Sequence, residues 1–180
     1  MPTVASLKPV VPGRPTEHDC RMLEARGIEK SYGDVVALKG ADLTVEAGSV
    51  VSLLGRNGAG KSTLLSTIAG LLAPDAGEIT VDGVDVWRDP KGAARLVGIA
   101  PHETGIYRAV RLNGADIATR NQLIAVVRGL ANDGAAVVCT TPYLPEVEAL
   151  DADIVVIDDG QVLARGTQSW LAKLCRRADG

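Results

Sequence analysis

Apolar residues in this chain fall in short runs separated by turn residues, and the runs change character along its length. Leu23–Ile28, Val35–Lys39 and Asp42–Val45 read as three short strands, with Gly33-Asp34 and Lys39-Gly40 supplying turns. Ser49–Leu54 is an apolar strand. The amphipathic stretch after it predicts a helix from Lys61 to about Leu71, stopped by Pro74. Glu78–Val81 and Val84–Trp87 flank Asp82-Gly83, a strong two-residue hairpin signal. Leu96–Ala100 is apolar without alternation, as expected of a strand covered on both faces.

The second half resumes the alternation of strand and helix. Asp116 to about Leu130 has helical spacing, with Ile117, Leu123, Ile124 and Val127 on the apolar stripe. Ala135–Thr140 reads as a buried strand, and Pro145–Leu150 as a short helix opened by its proline. Ile154–Asp158 and Gln161–Ala164 flank Asp159-Gly160, a second hairpin. Thr167 is placed to cap a last helix to about Arg176. Strands alternating with helices predict an α/β fold, mainly a parallel sheet with antiparallel hairpins at one side. No internal repeat is visible.

Composition narrows this picture. The 180 residues suit one domain. Residues 1–21 carry Pro2, Pro9, Pro12 and Pro15 among small and polar residues, the composition of a disordered tail, and order is expected from residue 22 to 180. Phe is absent and aromatics make up 3%, so the core must rest on Val, Leu, Ile and Ala. The net charge of −3 gives no electrostatic case for nucleic acid as a partner. Cys20, Cys139 and Cys175 are far apart, with neither zinc spacing nor a disulfide framework, which points to a reducing cytoplasm. Cys139 sits in an apolar run and reads as a small core residue. No stretch approaches the length of a membrane span.

The chemistry lies between the first apolar strand and its helix. Residues 55–63 read Gly-Arg-Asn-Gly-Ala-Gly-Lys-Ser-Thr, a full phosphate-binding loop in the strand–loop–helix context that such a loop needs. Gly55, Gly58 and Gly60 let the backbone curl so that successive N–H groups face phosphate oxygens, and the new helix points its positive end at the same anion. Lys61 is expected to reach the β- and γ-phosphates, and Ser62 to offer its hydroxyl to Mg²⁺. The candidate site is therefore Gly55, Asn57, Gly58, Ala59, Gly60, Lys61, Ser62 and Thr63, with Ser62 the candidate metal ligand.

From about Met22 to Gly166 the order of elements resembles the ATP-binding subunit of ABC transporters. The resemblance is carried by Ser31-Tyr32-Gly33, the phosphate loop, Gly77-Glu78-Ile79 and Asp82-Gly83. It continues through Gly114-Ala115-Asp116, Tyr143-Leu144-Pro145-Glu146 and Asp159-Gly160. The segment Asp116-Ile117-Ala118-Thr119-Arg120 looks most like subunits of bacterial drug exporters. The resemblance implies a P-loop NTPase fold with an antiparallel β subdomain, ATP and Mg²⁺ as cofactors, and Tyr32 stacked on adenine. It also implies a membrane permease subunit as partner and a place at the inner face of the membrane.

Several features of that family are missing. Its paired Asp-Glu, which hold Mg²⁺ and polarise the attacking water, fall on Ala109 and Val110, which can do neither. The signature Leu-Ser-Gly-Gly-Gln does not occur, nor does the helical subdomain that carries it. His102 stands for the Q-loop glutamine, and Pro142 for the switch histidine. His102 reads either as a donor near the γ-phosphate or as an ordinary histidine; Asp116 reads either as the D-loop acid or as a helix N-cap. Glu103 is the only acid near the Q-loop position. Glu146, Glu148, Asp151 and Asp153 have no metal spacing and read as a solvated face. No catalytic residue is assigned. Without the signature, ATP-driven dimer closure lacks its basis. Three readings follow: an ATPase subunit energising an exporter, a nucleotide-binding remnant that hydrolyses little, and the product of a gene with an internal deletion.

Overall fold

The computed structural model describes residues 21–98, 117–140, 144–167 and 169. They are arranged as two four-stranded sheets with helices between and beside them. The first sheet is antiparallel throughout. Its order is β2 (Val35–Glu46), β1 (Arg21–Tyr32), β4 (Ala76–Val81) and β5 (Val84–Asp85). The second runs β6 (Val137–Thr140), β3 (Val50–Leu54), β7 (Asp153–Asp158) and β8 (Gln161–Gly166). Its first three strands are mutually parallel, and β8 returns antiparallel along the edge. This is the expected α/β division into a parallel sheet and an antiparallel subdomain.

β3 explains the arrangement. Its sequence Val-Val-Ser-Leu-Leu has no alternation because both faces are covered. Val51 and Leu53 face a core shared with Leu64, Leu65 and Ile68 of α1 (Lys61–Ile68) and with the antiparallel sheet, including Ile28, Leu38 and Ile79. Val50 faces a second core with Val127 and Ala131 of α3 (Ile117–Asn132) and Val147 and Leu150 of α4 (Leu144–Leu150). β3 also has a ladder partner on each side, with Ser52 opposite both Cys139 and Ile154. Among the described residues β6 has one strand neighbour, β3. The strand feeding the phosphate loop is therefore interior.

Three expectations change in detail. The turn expected at Lys39-Gly40 is a bulge inside the continuous strand β2, with Gly40 at φ 79°. A left-handed glycine can turn a chain back or be absorbed into an antiparallel ladder, and its local signal is the same. The helix after the phosphate loop ends at Ile68, before Pro74 is reached. Gly70 at φ 68° closes it, with Leu71 N–H bonded to Ser66 O at 2.9 Å and Gly70 N–H to Thr67 O at 3.1 Å, a Schellman cap. Leu96 is not the start of a strand but the end of α2 (Pro90–Leu96), a helix the sequence pattern did not suggest. Asp89 caps it by accepting Gly92 N–H at 2.9 Å, and Pro90 opens its first turn. Ile99 and Ala100 lie outside the described residues, as do the tail 1–20 and all but residues 167 and 169 of the last expected helix.

Both two-residue turns form as expected, but β5 stops at Asp85 rather than Trp87, because the Asp85 carboxylate accepts the N–H groups of Trp87 and Arg88 and turns the chain. Asp82 and Gly83 take φ 48° and 74°, and Asp159 and Gly160 take 46° and 75°. Consecutive positive φ values define the type I′ turn that matches strand twist. Among the described residues no helix is long and apolar enough to cross a membrane.

Leu53 is fully buried where the loop strand meets the first core. Leu53→Ala should destabilise the protein by about 2–5 kcal/mol. A urea titration should show this as a lower midpoint with an unchanged slope.

Candidate functional site

β3 ends at Leu54, at the carboxyl end of its parallel neighbours, where open α/β sheets bind ligands. Residues 55–58 are exposed, Ala59 is buried, and α1 begins at Lys61. Two glycines fit where no side chain could. A Cβ on Gly55 would collide with the Ile157 carbonyl of β7. A Cβ on Gly60 would lie 2.7 Å from Ala37 O and 3.0 Å from Leu38 Cδ2 on β2. Gly60 also sits at φ 100°, outside the range of an ordinary residue.

The opening of α1 is built for an anion. Its N-cap is Gly60, no side chain caps it, and its first turn contains no acidic residue. The partial positive charge of the helix end is therefore not offset by the protein's own carboxylates. Lys61 Nζ reaches back across the loop and donates to Gly55 O and Arg56 O, each at 2.7 Å. A cation and a helix N-terminus thus share one small, exposed, glycine-lined cradle. Ser62 is exposed in the same first turn, a hard oxygen of the kind Mg²⁺ prefers, and Thr63 is half-buried beside it. Exposed Asn57 and Gly58, the latter at φ 84°, form the outer rim. The donor set fits a polyphosphate carrying Mg²⁺.

Tyr32 stands apart from the loop, at the end of β1, and is 50% exposed beside exposed Val35 and Val36. The connection runs through β2. Ala37, whose carbonyl lies against Gly60, is two residues along the strand from Val35, the partner of Tyr32. Two residues of strand span about 7 Å. Asp75, which the motifs did not single out, braces this arm. Its carboxylate accepts Ser31 N–H at 2.6 Å and pairs with Lys30 Nζ at 2.6 Å. The Lys30 hydrogen bond, then the Ser31 N–H, hold its pKa below the usual carboxylate range, so the brace stays ionised through neutral pH.

One expectation about the acids fails. Glu146 is 1% exposed, so it does not belong to a solvated face. It lies on α4 beside Val147, with Leu150 one turn on, and all three face inward because the helix is pressed against the sheet. Glu148 and Asp151 are exposed, and Asp153 pairs with Arg165 at 3.3 Å. Cys139 is fully buried, as expected of a core residue. Burial pushes its thiol up to about 11. His102, Glu103, Ala109, Val110, Asp116 and Pro142 lie outside the described residues.

A buried parallel strand, a glycine-rich loop and an uncapped helix carrying Lys-Ser-Thr define a P-loop NTPase. Comparison with known proteins narrows this. The family profile described as "ABC transporter" matches residues 38–169. The linearmycin resistance ATP-binding protein LnrL of Bacillus subtilis is 28% identical over 228 aligned positions, covering 88% of this chain and 72% of the relative. The daunorubicin/doxorubicin resistance ATP-binding protein DrrA of Streptomyces peucetius is 30% identical, covering 84% of this chain and 67% of the relative. A solved ATP-binding subunit of an ABC transporter superposes with a TM-score of 0.67 at 18% identity, over 85% of this chain and 92% of that one. The chain belongs to the ABC transporter family, as an ATP-binding subunit. In the LnrL alignment, 88% of 180 residues is about 158, so about 70 of the 228 positions have no counterpart here.

Gly55→Ala tests the cradle. The added methyl cannot coexist with the Ile157 carbonyl, so the loop must shift. Thermal unfolding should drop by several degrees, and phosphate-ligand binding should fall at least tenfold. An unchanged melting temperature and affinity would refute the close packing.

Proposed function

We propose that this subunit binds ATP–Mg²⁺ through Gly55, Asn57, Gly58, Ala59, Gly60, Lys61, Ser62 and Thr63, with Tyr32 against the adenine, and that it hydrolyses ATP very slowly. The observation that carries the binding half is the uncapped N-terminus of α1 opening onto a loop that Lys61 Nζ spans. To contact a phosphate, Lys61 exchanges the Gly55 and Arg56 carbonyls for phosphoryl oxygens. Backbone N–H groups of the loop take the remaining oxygens. Ser62 would hold Mg²⁺, which neutralises phosphate charge when bound.

Slow hydrolysis is supported by what the chain lacks. Ala109 and Val110 occupy the positions of the metal-holding Asp and the water-polarising Glu, and Pro142 replaces the switch histidine. Proline has neither a side-chain donor nor a backbone N–H. The unmatched positions of the relatives are in keeping with loss of the helical subdomain and its signature. On this reading, residues 22–180 form one shortened nucleotide-binding domain after a proline-rich tail at 1–21. The subunit works in the cytoplasm against a membrane permease, and closure of an ATP-sandwiched dimer is impaired. Export as the direction of transport rests on the likeness of Asp116-Ile117-Ala118-Thr119-Arg120 to drug-exporter subunits.

Charge-assisted bonds to phosphate contribute about 1.5–3 kcal/mol each. Lys61→Ala should weaken ATP binding about tenfold or more in calorimetry, and equal affinities would sink the binding assignment.

Loss of a positioned base costs about 10²–10⁴-fold, and lost electrostatic stabilisation adds a comparable factor. Phosphate release by the purified protein should therefore match the Lys61→Ala background. Turnover near one per second that this substitution abolishes would show that other groups have taken over the chemistry.

A further inference from the structure

Three segments far apart in sequence meet beneath the phosphate loop. Gly160, in the turn between β7 and β8, donates its N–H to Ala59 O of the loop at 3.1 Å. Its carbonyl accepts Lys39 N–H of β2 at 2.9 Å. Lys39 Nζ pairs with Asp159 Oδ2 at 2.6 Å, and Gln161 Nε2 reaches Lys39 O at 3.4 Å. The contact leaves no room: a Cβ on Gly160 would lie 2.7 Å from Ala37 O and 3.0 Å from Leu38 Cα. One turn thus bonds to the loop on one side and to the Tyr32 arm on the other.

We infer that the Asp159-Gly160 turn is a positioning element that fixes the spacing between the Tyr32 arm and the phosphate loop. It thereby sets how strongly the base contributes to nucleotide affinity. This inference rests on the nucleotide reading of residues 55–63. The geometry is directional. The bond from Gly160 to Ala59 engages the loop, whereas the atoms nearest an added methyl all belong to residues 37 and 38 of the arm. Widening the contact should therefore push the arm away from Gly160 and from Gly60 together, while the loop keeps its bond to Gly160 and its seat against the Ile157 carbonyl. A ligand that touches only the loop should not sense the change; a ligand that spans loop and arm should.

The test compares ATP with inorganic tripolyphosphate, both with Mg²⁺, by calorimetry on the full chain. Gly160→Ala should weaken ATP at least fivefold while tripolyphosphate changes less than about twofold. The fivefold figure is the lower end of what base–aromatic stacking supports. Tyr32→Ala should weaken ATP binding in the wild-type background and add less than about twofold in the Gly160→Ala background. Lys39→Ala, a surface change with little risk to folding, should lower the ratio of ATP to tripolyphosphate affinity about twofold. The inference is overturned if Gly160→Ala weakens both ligands by the same factor. It is also overturned if Tyr32→Ala costs the same in both backgrounds, or if Lys39→Ala leaves the ratio unchanged. Wild-type protein that binds neither ligand would instead overturn the nucleotide reading itself.

Discussion

Backbone-to-backbone packing around three glycines organises the molecule. Gly55 lies against the Ile157 carbonyl, Gly60 against Ala37, and Gly160 against Ala37 and Leu38. Each contact is closer than any side chain allows, so each brings two elements together at one fixed separation. Through them the phosphate loop is seated on β7 and on β2, strands of two different sheets. Protein interiors are packed closely enough that one methylene is felt. The loop's shape is thus dictated from beneath as much as by its own sequence.

The electrostatics follow from that seating. A glycine at the N-cap leaves α1 without a side-chain acceptor, and the absence of acids in its first turn leaves its positive end uncompensated. Elsewhere the chain caps with care, as Asp89 does for α2. The contrast marks the start of α1 as a place where stability yields to ligand chemistry, as happens where local rules are broken at functional sites. Asp75 and Asp159, carboxylates outside the loop, serve the arm instead, bracing Ser31 and Lys39.

The strand order shows how the parallel sheet is completed around the loop strand. An interior strand stripped of a neighbour would lose both packing and backbone hydrogen bonds. β3 has not lost one: β6 and β7 flank it, and its side chains fill cores on both faces. Among the described residues the unflanked side of the parallel sheet is that of β6. The strand that feeds the phosphate loop is therefore held by the sheet on both edges and both faces.

The amino-acid sequence was sufficient for the phosphate loop, for the buried strand ahead of it, and for both Asp-Gly hairpins. These depend on local chemistry: which residues tolerate positive φ, and which runs are apolar without alternation. The end of α1 and the bulge at Gly40 were not legible, since a left-handed glycine gives one signal for a cap, a turn and a bulge. α2 leaves no apolar stripe in the sequence, since Ala93 is its one buried residue. The burial of Glu146, the brace from Asp75 and the junction at Gly160 belong to the tertiary structure alone. The brace and the junction join residues dozens of positions apart, and no local pattern specifies which distant surface a side chain or a glycine will meet.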